Sequence, residues 1–172
     1  MSDQEHILGL RGNDVREILI NNKVVILGGI IILAQLAVYS ILWLNPYVES
    51  ITAQFTNSPS VKSYEYFGGL DNWMKLRTIY NAVILALLIK LFLMFYEKLP
   101  GTGWVKGIWF GLIISAIKVI PEAFNKWTLI VYPDQLILLQ LVNGTLGLVI
   151  FGLLLSTVFL KAGVVSSPNN NE

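Results

Sequence analysis

A chain of 172 residues, 55% of them hydrophobic and only 13% charged, has a mean hydropathy of +0.64; soluble domains carry about 25% charged residues, so the composition is that of a one-domain integral membrane protein. A net charge of +1 excludes a global basic field for nucleic acid. With no cysteine, and a single histidine (His6) outside every apolar run, disulfides, thiolate metal sites and a bis-histidine haem or metal centre within one chain are excluded, and no cofactor is expected.

Residues 1–23 mix charges (Asp3, Glu5, Arg11, Asp14, Arg16, Glu17, Lys23) with apolar positions. Asn13 or Asp14 is placed to cap a short helix running to about Asn21, with its apolar side on the membrane surface; a polar leader is the alternative. No cleaved signal peptide is expected, because the apolar run that follows is too long and lacks a small-x-small site. The first span is set at 24–45, ended by Pro46, with Gln35 and Ser40 as its mid-helix polar groups. A connection over 46–75 is polar at first and then aromatic (Tyr64, Tyr66, Phe67, Trp73). Its rings suit either the lipid headgroups or a partner surface.

The second span is set at 76–97. Ala82, Ala86 and Lys90 are spaced by four, so they share a face, and the small residues point that face, lysine included, into the bundle. Lys90 also lies close enough to the helix end to snorkel. Asn81 stands near the other end. A Pro/Gly turn at 97–103 makes the second and third spans antiparallel neighbours.

The third span, 104–124, follows the ladder Gly103, Gly107, Gly111 and Ser115, four residues apart and so on one side of a helix. Small-xxx-small runs allow close helix approach in lipid. Lys118 and Glu122 fall on the same arc, and as i, i+4 partners they are expected to neutralise each other. Pro121 kinks or ends this helix, leaving 125–134 as an interfacial connector. The fourth span, 135–161, carries Gln140, Asn143, Gly144 and Gly147 within about 100° of arc, a polar, small-residue face turned inward. The Asn143-Gly144-Thr145 sequon sits inside that span and is discounted. Residues 162–172 are Ser/Asn/Pro-rich and expected to be disordered.

Four spans place both termini on one side. With the termini inside, that side holds Arg11, Arg16, Lys23, Lys98, Lys106 and Lys161 against Lys62, Lys75, Arg77 and Lys126 outside, which favours cytoplasmic termini.

Lys106-Gly107-Ile108-Trp109-Phe110-Gly111-Leu112, then Pro121-Glu122-Ala123, Tyr132-Pro133, Asn143-Gly144 and Gly152 form a pattern that resembles small bacterial four-helix membrane proteins of uncharacterised function. The likeness covers residues 24–161. It implies the four-span topology and a bacterial cytoplasmic membrane, and it transfers no site; Lys118 and Glu122 are not attributed to the pattern.

The expected fold is therefore all-α, an antiparallel bundle of four transmembrane helices. No intramembrane histidine, facing carboxylate pair or phosphate-binding glycine loop is present to support catalysis. The leading reading is a non-enzymatic structural or accessory subunit that packs against its own copies or other membrane subunits through the small-residue faces. The opposing reading is a small transporter, channel or lipid-binding protein whose cavity is lined by Lys90, Lys118, Glu122, Gln140 and Asn143.

Overall fold

The computed structural model describes residues 12–55, 62–129 and 132–165. Expectations for residues 1–11 and 166–172 lie outside them. All regular elements among the described residues are helical: α1 (Gly12–Trp43), α2 (Pro46–Ala53), a 3₁₀ turn (Tyr64–Phe67), α3 (Leu70–Phe95), a second 3₁₀ turn (Tyr96–Lys98), α4 (Trp104–Leu129) and α5 (Asp134–Lys161). Four segments, Leu19–Trp43, Leu70–Lys98, Trp104–Leu129 and Asp134–Lys161, are long and apolar enough to cross a membrane. The chain is a four-helix membrane bundle.

Several expected boundaries move, each for a local reason. The leader is not separate from the first span: after Gly12 no glycine or proline interrupts residues 13–23, and α1 runs through them unbroken. The connection is part helix. Asn45 makes its corner, its Nδ2 donating to the carbonyls of Ile41 (3.2 Å) and Leu42 (3.0 Å) at the end of α1. Its Oδ1 accepts the Val48 N–H (3.0 Å) at the start of α2. Pro46 then fits the first helical position, where no N–H is needed. α4 passes through Pro121 and ends at Leu129, so the expected connector at 125–134 shrinks to a few residues. The fourth span ends in a Schellman motif around Gly163 (φ +67°), where Val164 N–H reaches the Phe159 carbonyl (2.9 Å) and Gly163 N–H the Leu160 carbonyl (3.1 Å). Val164 and Val165 then pack on the core instead of trailing away.

The closest packing is between α4 and α5. A methyl group at Gly107 would run into the Gly152 carbonyl, and one at Gly111 would come within 2.5 Å of the Leu148 carbonyl oxygen and the Val149 Cα. The two backbones touch there because Gly107 meets Gly152 with no Cβ on either side and Gly111 has none to hold off the Leu148–Val149 backbone. Ser115 and Thr145 continue the same register, hydroxyl to hydroxyl at 2.6 Å. The ladder is thus used within the chain. Gly103 is not a rung of it: it lies in the turn before α4 at φ +52°, and its carbonyl accepts the buried Ser156 hydroxyl.

α1 packs against α5 and α3. The second and third spans are antiparallel, but large side chains hold their backbones apart. Near their shared turn Phe92 of α3 meets Phe110 of α4 edge-to-face at 5.1 Å and lies 6.4 Å from Phe159 of α5. The inward face of α3 is Leu85, Ile89 and Phe92, all buried. This corrects the orientation expected from Ala82, Ala86 and Lys90: Ala86 and Lys90 are exposed and Ala82 is only half-buried.

Candidate functional site

In hydrocarbon each polar side chain either finds a partner or imposes a cost, so the intramembrane polar groups are the natural candidates. The structure sorts them into separate places.

The first tie joins α1 to α5. Gln35, fully buried, donates its Nε2 to the Gly147 carbonyl (2.8 Å). Asn143 donates its Nδ2 back to the Leu42 carbonyl (2.8 Å). Each helix thus lends one side-chain amide to the other's backbone. Gly147 is needed for this approach, because a Cβ there would meet the Tyr39 ring at 2.7 Å. Gly144 faces the Val119 side chain. Asn143, Gly144 and Gly147 do face inward. Gln35 is the member the site reading missed; its signal was a lone amide in the middle of an apolar run.

One acceptor in this tie, Gln35 Oε1, is buried without a hydrogen bond among the described residues. Asn143→Leu is therefore expected to cost roughly 0.6–1.7 kcal/mol, the measured range for hydrogen bonds between membrane helices. Gln35→Met is expected to cost less, under about 0.5 kcal/mol, because it removes an unpaired acceptor along with the bond. Equilibrium unfolding in detergent ranks the two, and a larger loss for Gln35→Met contradicts this account.

The second group lies at the α4–α5 connection. Lys126 Nζ bonds Glu122 Oε1 at 2.9 Å and Gln140 Oε1 at 2.6 Å, and sits 5.2 Å from the centre of the Tyr132 ring. The expected Lys118–Glu122 pair does not form. Glutamate four residues N-terminal to lysine is the better helical order, and Glu122–Lys126 has it whereas Lys118–Glu122 has the reverse. Gln140 joins this group rather than Asn143's.

The third is at the other end, where Lys106 is buried (7% exposed). Its Nζ donates to the carbonyls of Tyr96 (2.9 Å) and Glu97 (3.4 Å) and lies 4.5 Å from the centre of the Tyr96 ring. It closes the C-terminal end of α3 from the next helix. The sequence places Lys106 at the start of the third span, as a charge on the side of the termini, and gives no sign of its burial.

Lys90 and Lys118 are left over. Both are exposed, and among the described residues neither makes an ion pair. The nearest ring to Lys118 Nζ is Tyr80, at 6.0 Å. Their depth follows from helix rise. Lys106 to Lys126 on α4 spans about 30 Å at roughly 1.5 Å per residue, the thickness of the hydrocarbon layer. Lys118 then lies about 12 Å inside one boundary, and Lys90 about 10 Å from Glu97 at the other. A charge at such depth costs up to about 2.5–3.5 kcal/mol when nothing covers it and it cannot snorkel out.

Clefts of about 430 Å³, around Gly68–Lys75 of the loop, and about 470 Å³, between Ile20, Asn21, Leu93, Tyr96, Val164 and Val165, mark opposite ends of the bundle. The second shows that the beginning of α1 and the end of α5 lie together. None of Lys90, Lys118, Glu122, Gln140 or Asn143 lines either cleft. Comparison with protein-family models, curated proteins and solved structures finds no match to the chain.

Proposed function

We propose that the protein is a non-enzymatic subunit of a membrane assembly, whose work is to pack against other transmembrane helices. The observation that carries this reading is the pair of intramembrane lysines, Lys90 and Lys118, left on the surface of the bundle without an ion pair among the described residues. A bundle standing alone in lipid gains nothing from such charges; a neighbouring protein surface covers them. α1 and α3 agree with it, since each buries only 17% of its most apolar stretch within the chain.

A transporter or lipid binder needs its polar groups to converge. Here Asn143 is committed to α1, Gln140 and Glu122 to Lys126, and the two free lysines stand on different helices. That dispersal favours the packing subunit.

Native mass spectrometry of the protein extracted from its own membrane in mild detergent tests the reading. The expected result is a complex containing further copies or other subunits. A lone chain carrying a tightly held small molecule overturns it.

A further inference from the structure

Lys118, Glu122 and Asn125 stand at i, i+4 and i+7 of α4, which puts them along one side of the helix, and all three are exposed. The strip carries both signs of charge. Glu122 Oε1 accepts from Lys126, the Gln140 amide lies beside the same carboxylate, and the side chain is still 47% exposed. Lys118 makes no ion pair among the described residues, and the Tyr80 ring lies 6.0 Å from its Nζ. Glu122 is also the one carboxylate in the four spans that lies more than a turn from a span end; Asp71, Glu97 and Asp134 are all terminal.

We infer that this strip, at the open end of the α3–α4 seam, is a contact between two copies of the chain, with Lys118 of each copy bonding the exposed carboxylate of the partner copy's Glu122. The inference rests on the packing-subunit reading and names its partner. A two-fold contact brings the same patch to both sides, so residue i meets j and j meets i. A patch holding one cation without an ion pair and one exposed carboxylate, a turn apart, satisfies itself in that arrangement. Two copies inserted in the same direction place Lys118 and the partner copy's Glu122 about 6 Å apart in depth, within reach of the four-carbon lysine stem. Both charges leave the lipid together.

The test uses two differently tagged full-length chains. Lys118→Glu alone sets carboxylate against carboxylate across the contact, and its self-association is expected to weaken by about tenfold or more. Glu122→Lys alone does the same with two ammonium groups. Co-expressed, the two variants regain both pairs, and a mixed dimer is expected to form as readily as the wild type. Should either variant fail to fold, disulfide trapping in the wild-type background decides, since the chain has no cysteine of its own. Asn125→Cys is expected to cross-link two copies, and Leu138→Cys, on an exposed side of α5, is not. Self-association of Lys118→Glu at wild-type strength, or no trapping through Asn125→Cys, overturns the inference. Other subunits without a second copy also overturn it while leaving the packing-subunit reading in place; a lone chain removes both.

Discussion

Gly111→Leu is expected to open the α4–α5 hairpin and abolish the native fold in detergent. Even Gly111→Ala is expected to destabilise it by roughly 1–3 kcal/mol, the range for overpacking a filled interior. The atoms in the way are backbone, the Leu148 carbonyl oxygen and the Val149 Cα at 2.5 Å, and backbone cannot swing aside as a side chain can. The helices must part along their whole contact, which also strains the Ser115–Thr145 bond (2.6 Å). Gly29→Ala is the control: nothing lies within 4 Å of its Cβ position, and helix propensity favours alanine by up to about 1 kcal/mol. Thermal unfolding of the three variants is the measurement, and wild-type stability for Gly111→Ala rules out the backbone contact described above. Gly107→Leu and Gly111→Leu consequently report on the fold of the single chain, not on assembly, which is carried by other residues.

Lys106→Met is expected to lower stability by roughly 1.5–3 kcal/mol, the range for hydrogen bonds made by a charged group. The ammonium gathers two carbonyls of the 3₁₀ turn that ends α3, those of Tyr96 and Glu97, into the start of α4. Methionine fills the space but takes the ammonium away from both carbonyls, leaving Tyr96 with only the long Leu99 N–H bond (3.3 Å). The damage is expected to be local, so hydrogen exchange should quicken over residues 95–99 before it does so in α5. Uniform exchange across the bundle, or no loss of stability, sinks this account of Lys106.

The spans were legible because an apolar run of this length has few other uses. Which residues share a face was legible too, since spacing alone decides it. Which way a face points was not. For α4 the ladder of glycines gave the right answer at Gly107, Gly111 and Ser115, where backbone contact demands small residues. For α3 the same logic applied to Ala82, Ala86 and Lys90 gave the wrong one, and Leu85, Ile89 and Phe92 turn inward instead. In lipid both sides of a helix are apolar, so hydropathy does not separate the buried side from the exposed one. The polar partners were not legible from spacing: Lys118 and Lys126 both stand four residues from Glu122, and the expected partner, Lys118, is the one that does not pair. Long-range ties such as Gln35 to Gly147 depend on which helices become neighbours, and local pattern does not encode that.

The tie between Gln35 and Gly147 spans 112 residues of chain. At synthesis rates of about 5–20 residues per second, the Gln35 amide enters the bilayer roughly 6–22 s before its acceptor has been made. During that interval the first span has no α5 to rest on. The first and fourth spans close on each other only after the fourth has been made, whereas α4 and α5, consecutive in the chain, can zip together as soon as both are inserted. The order of insertion therefore leaves α1 and α3 with only each other to pack against until the α4–α5 hairpin is in place.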